Sequence, residues 1–185
     1  MRKNIFLTTS ALLFVVMVFI SGCKKPDAVI PTQTVGYALA DYLGCTSFAS
    51  TQYTDTLIDT ITAAGIQQAF TTSGITYNIS KVTTSKLNAL NVSLWNGGSG
   101  SLNSISTIQV YLNSAGSAGL GVEIASAANI PTNATTVALT LTNAELKSYL
   151  GTNNVVTILV KNAGYGNGIC LDFGQGVIVS QVQTQ

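Results

Sequence analysis

Residues 104–112 read Ser-Ile-Ser-Thr-Ile-Gln-Val-Tyr-Leu, with Ile108, Val110 and Leu112 at every second position. A period of two sends alternate side chains to opposite faces of an extended chain, so one face of this segment is buried and the other is wet. The same alternation returns in Val137, Leu139 and Leu141 within Thr136–Leu141. Further strands are expected at Ile75–Val82 (through Ile75, Tyr77 and Ile79), Leu87–Trp95, Gly119–Ala125, Val155–Lys161 and Ile169–Val182. The joints carry turn chemistry: Asn96-Gly97-Gly98-Ser99-Gly100, Asn113 to Gly119, Asn129 to Asn133 around Pro131, and Asn162 to Gly168. Joints this short favour antiparallel neighbours, because parallel pairs need long crossovers. About seven to eight strands of this kind predict an all-β fold, two antiparallel sheets packed as an Ig-like or jelly-roll-like sandwich with one or two short helices.

One helix is expected at Thr142–Gly151. Thr142-Asn143-Ala144-Glu145 matches a capping box, Leu146, Tyr149 and Leu150 offer an apolar stripe, and Gly151 can close the helix in the left-handed conformation. Further upstream, Thr56–Ile61 reads as a strand while Thr62–Phe70 is equally able to form a short helix, and the boundary between them stays open.

The amino terminus has a different character. Arg2 and Lys3 precede an uncharged run from Ile5 to Ile20, interrupted only by Thr8, Thr9 and Ser10. A spanning helix needs about 20 apolar residues, which this run does not reach, and it ends in the small pair Ser21-Gly22. Residues 1–22 therefore read as a removable export signal, with an uncleaved single-pass anchor as the alternative that length disfavours. After Cys23 the chain is polar, with Pro26 and Pro31 and no amphipathic period, so residues 23–35 read as a tether and 36–185 as the folded domain.

Ile20-Ser21-Gly22-Cys23 resembles the lipobox of bacterial lipoproteins, an aliphatic position and two small residues before a cysteine. The resemblance implies cleavage before Cys23, a diacylglycerol on its thiol and a membrane as partner. Each buried methylene contributes about 0.8 kcal/mol, so two or three acyl chains hold nearly irreversibly. Cys23-Lys24-Lys25 is similar to the starts of Bacteroidota lipoproteins, and a residue other than an acid after the cysteine implies the outer membrane. Asp27 is the one nearby acid, which leaves the periplasmic and surface faces both open. From Leu87 onward the chain also resembles uncharacterised Bacteroidota sandwich lipoproteins: in the strand ending at Trp95, in residues 105–112, in Ile124-Ala125 before Ile130-Pro131, and in Glu145-Leu-Lys-Ser-Tyr-Leu150. That likeness implies a fold and no chemistry.

Without the signal, 163 residues remain, carrying six lysines against seven carboxylates once Arg2 and Lys3 are removed from the eight cations. A chain of this length buries about two thirds of its unfolded surface and needs no metal or disulfide scaffold. Rich in Thr, Ser, Asn, Val, Ile and Gly, it has no basic footprint, so no nucleic-acid partner is expected.

Histidine is absent, which excludes Ser/His/Asp and Cys/His nucleophilic arrangements and imidazole metal sites. Asp55 and Asp59 are the remaining acid pair; on a strand they share a face about 13 Å apart, too far for either glycosidase geometry. No Asp-x-Asp-x-Asp-Gly loop is present for calcium, and the glycine-rich loops lack the Gly-Lys-Ser/Thr of a phosphate cradle. No catalytic residue, metal or cofactor is expected. Asp55-Thr56-Leu57 and Asp59-Thr60-Ile61 resemble the Asp-Thr-aliphatic sequon of Bacteroidota O-glycosylation, which implies glycan on Thr56 or Thr60 if the segment is exposed.

Two cysteines remain after Cys23. Cys45 and Cys170 have two readings: a disulfide tying the first mature strand to the last, or two buried thiols packing as small hydrophobes. Cys170 lies between Ile169 and Leu171, which favours the thiols. Among aromatics, Trp95, Tyr111 and Tyr149 fall in or beside apolar runs, where core packing accounts for them. Tyr165 lies in Ala163-Gly-Tyr-Gly-Asn-Gly168, where a loop presents its ring as a ligand contact. The expected function is a non-catalytic binding or structural module of the envelope, with a protein or glycan partner. The alternatives are a glycan-binding or adhesin or pilus-type component and, further off, a hydrolase using carboxylates alone.

Overall fold

The computed structural model describes residues 30–39, 42–46, 52–94, 102–162 and 169–184. All of them except Ile30 belong to one unit, Pro31–Gln185, distinct from Met1–Ile30. Its elements are β1 (Thr32–Ala38), β2 (Tyr42–Thr46), β3 (Gln52–Ile61), α1 (Ala63–Thr72), β4 (Val82–Leu94), β5 (Ile105–Ser114), β6 (Val122–Ala128), β7 (Thr136–Ala138), β8 (Thr140–Leu141), β9 (Asn154–Asn162) and β10 (Ile169–Gln183). They form two antiparallel five-stranded sheets. The first has the order β1-β10-β4-β7, with β2 also on β10, and the second the order β3-β9-β5-β6-β8. The expected all-β sandwich is the observed fold.

The alternation that opened the sequence reading sets the core. Ile108, Val110 and Leu112 of β5 are wholly buried, and Val156, Ile158 and Val160 of β9 lie in the same core with Val92 of β4. Each such side chain contributes about 1.5–3 kcal/mol by leaving water. Val137, Leu139 and Leu141 alternate too, but their segment is two strands. β7 pairs with β4 in the first sheet and β8 with β6 in the second, so the chain changes sheets at Leu139. Leu139 is buried at this corner, and its amide donates to the Leu90 carbonyl at 3.1 Å.

The open boundary near Ile61 resolves into both elements. β3 ends at Ile61, the Thr62 side chain accepts from the Gly65 amide at 3.0 Å, and α1 follows with Ile66 and Phe70 buried. Gly74, at φ 73°, ends the helix in a Schellman motif, with the Gly74 amide on the Thr71 carbonyl and the Ile75 amide on Phe70. The strand expected at Ile75–Val82 is therefore absent. Tyr77 packs edge-on against Phe70, residues 79–81 form a 3-10 turn capped by Asn78, and Ile79 is exposed. The alternation of Ile75 and Tyr77 reflects packing beneath a helix end, not a sheet.

The helix expected at Thr142–Gly151 is also absent; only residues 147–149 make a 3-10 turn. Asn143 adopts φ 59°, which ends helical continuation at its second residue. Glu145 does not complete a capping box. Its Oε1 accepts from the Ser85 amide at 2.7 Å and the Lys147 amide at 3.0 Å, while the Leu146 amide donates to the Ser85 carbonyl at 2.7 Å. These bonds, with β7 and Leu139, cover the edge of β4 that faces away from β10. Leu146 and Leu150 are buried as the apolar stripe requires.

The tether is shorter than expected. Thr32, Gln33 and Thr34 belong to β1, paired with Gln183, Val182 and Gln181. Composition gave no sign of this because β1 buries only Val35.

Candidate functional site

Strand register defines two ends of the sandwich. At one end Thr32 lies opposite Gln183 and Val82 opposite Val182, and the Pro31 carbonyl accepts from the Thr184 amide at 3.0 Å. At the other end of the first sheet Thr46 lies opposite Ile169, with Leu94 opposite Leu171. In the second sheet Gln52 lies opposite Lys161 and Ile105 opposite Asn162. Thr46 connects to Gln52, and Asn162 to Ile169, through a few residues each, so these strand ends share one end of the molecule, away from the point of chain entry.

At that end, Cys170 is disulfide-bonded. The residue opposite it in the β2–β10 ladder is Cys45. The reading as two buried thiols is thus overturned for Cys170, and the reason is the pleat. Leu171 and Phe173 are buried, so their neighbours Cys170 and Asp172, both half-buried, stand on the outer face of the sheet. An apolar flank in sequence is not an apolar surround in a strand.

The sequon residues lie on β3, at an edge of the second sheet. Asp55 stands opposite the buried Ile158, whereas Thr56 stands opposite Thr157, in the row that continues to Tyr111 and Glu123 on the other face. Asp59 and Thr60 fall in the irregular stretch between Leu57 and Ile61. Cys23, Trp95 and Tyr165 lie outside the described residues.

Sequence reasoning missed a polar cluster on the outer face of the second sheet. Gln109 Nε2 donates to Glu123 Oε2 at 3.0 Å, and Tyr111 stands opposite Glu123 in the β5–β6 register. Burial first, and then the neighbouring Glu123 carboxylate, raise the Tyr111 hydroxyl above its usual range. These residues are distant in sequence and meet only through the β5–β6 register, which no local pattern announces. Tyr149 packs on the hydrophobic core.

Ser85 and Ser180 form a buried pair inside the first sheet, Ser180 Oγ donating to Ser85 Oγ at 3.0 Å. Both belong to strand packing. Among the described residues no group of three or more His, Cys, Asp or Glu is placed to hold a metal ion, and no helix is long and apolar enough to cross a membrane. No family model, curated protein or solved structure matches the chain.

Proposed function

We propose that this chain is an exported bacterial lipoprotein, held on the outer membrane by lipid on Cys23, whose sandwich is a non-catalytic binding or structural module. The observation that carries the reading is the signal ending in Ile20-Ser21-Gly22-Cys23. The disulfide at Cys170 supports it independently, since disulfides persist in exported proteins and are rare where cellular thiols stay reduced. The missing histidine and the separation of Asp55 from Asp59 along a strand weigh against hydrolytic chemistry.

Eight residues separate Cys23 from Thr32, a tether of at most about 28 Å when extended. The chain enters the sandwich at Thr32, so the strand ends around Cys170, at the opposite end, are the surface such a tether presents to a protein or glycan partner. Intact mass of the protein purified from its own membranes tests the reading. The expected species begins at Cys23 and carries the added mass of diacylglycerol. A mature form that retains Met1, or that starts elsewhere without acyl mass, overturns it.

A further inference from the structure

Two short strands share one edge of β10. β1 covers Val177–Gln183, β2 covers Ile169–Phe173, and a register irregularity between Gly174 and Val177 separates the two stretches. The strands are held differently. β1 buries Val35 in the core, its Gln33 side chain donates from Nε2 to the Ser73 carbonyl beside α1, and its end is tied by the Leu39 backbone amide to the Gly176 carbonyl at 2.7 Å. β2 has five register pairs with β10 and, among the described residues, no other ladder.

We propose that Cys45 and Cys170 form a redox latch on β2. Oxidised, the bridge holds β2 on the β10 edge; reduced, β2 leaves that edge while the rest of the sandwich stays folded. Directly opposed antiparallel residues have Cα atoms about 4.5–5.5 Å apart, within the separation a disulfide spans. Cys170 is half-buried on the outer face, where a small dithiol or the active-site dithiol of a thiol–disulfide exchange protein reaches it. The exchange balances: a reductant thiolate attacks one sulfur and releases the other cysteine as thiolate, then the reductant's second thiol resolves the mixed disulfide. The products are two protein thiols and an oxidised dithiol. The opened edge of β10 from Ile169 to Phe173 then carries unpaired backbone groups, the feature to which strands add. The disulfide and the β2–β10 register are the same whether or not Cys23 carries lipid.

The test is hydrogen exchange on the purified full chain, read by peptide mass spectrometry with and without dithiothreitol. Alkylation of the unreduced protein, mapped to Cys45 and Cys170, accompanies it. Neither cysteine is expected to alkylate before reduction. On reduction, exchange at Tyr42–Thr46 is expected to rise about a hundredfold or more, toward the rate of an unstructured peptide, while β5 and β9 keep slow exchange. Cys45→Ser/Cys170→Ser should reproduce that pattern without reductant. Alkylation of either cysteine before reduction overturns the proposal, as does β2 staying protected after it. Loss of protection in β5 and β9 together with β2 also overturns it, because the bridge then holds the whole domain.

Discussion

The two halves of β10 are one continuous strand with two kinds of edge. From Val177 to Gln183 the neighbour, β1, is secured by burial: Val35 is 2% exposed, and Gly176 is packed so closely that a Cβ there would stand 2.7 Å from Leu39 Cδ1. From Ile169 to Phe173 the neighbour, β2, is a five-residue strand that has Cys45 opposite the disulfide-bonded Cys170. Packing stabilises an edge through many weak contacts inside the folded state. A cross-link stabilises chiefly by restricting the unfolded chain, and it can be undone chemically. The same fold therefore has one edge that answers to temperature and side-chain size and another that answers to redox state.

The largest expected effect comes from removing the covalent half of that contrast. The bridge closes a loop of more than a hundred residues, so Cys45→Ser/Cys170→Ser should lower unfolding stability by about 4–5 kcal/mol. Denaturant titration of the variant against the oxidised parent measures it. A loss under about 1 kcal/mol would show that the bridge adds no more than an ordinary contact.

Next are substitutions on the packed half. Val35→Ala should cost about 1.5–3 kcal/mol, through lost burial and the cavity left behind, and by the same amount in the presence or absence of reductant. Gly176→Val forces Leu39 aside and should cost about 1–3 kcal/mol, seen as a lower thermal midpoint. If either loss depends on the redox state, the two halves of β10 are coupled and the contrast fails.

The stretch of β4 around Ser85, beyond the β7 pairing, offers a third case, covered by the Glu145–Leu146 loop. Glu145→Ala removes the carboxylate that accepts from the Ser85 and Lys147 amides and should cost about 1–2 kcal/mol, with Glu145→Gln costing less. Thr34→Ala, which breaks only the exposed bonds with the Gln181 side chain, should change stability by under about 0.5 kcal/mol.

How far the sequence carries depends on which interactions are local. Strands β5, β9 and β10 were legible because their inner faces are continuous aliphatic rows, and the period of two states this directly. Thr32–Val35, the first half of β1, has the polar composition of a tether, and the partner that makes it a strand is β10, more than a hundred residues away. Thr142 and Glu145 match a capping-box pattern, yet Asn143 between them has a left-handed backbone and the Glu145 carboxylate accepts from Ser85, distant in sequence. The cysteines show the same limit. Ile169 and Leu171 made Cys170 look apolar, yet the pleat turns it to the outer face and the register sets Cys45 opposite it. Of the candidate site residues among those described, the register sets this cysteine pair directly opposite one another. Thr56 falls on the outer row of an edge strand, and the side chains that meet across strands, Gln109, Tyr111 and Glu123, became visible only with the β5–β6 pairing.

The central claim is the proposed export of the chain and the attachment of lipid to Cys23. Metabolic labelling with palmitate, comparing the native chain with Cys23→Ser, tests that claim most directly. Label in the native protein, and an unlabelled, unprocessed Cys23→Ser precursor, is the predicted result; a Cys23→Ser chain that still takes up label, or a native chain that takes up none, would contradict it.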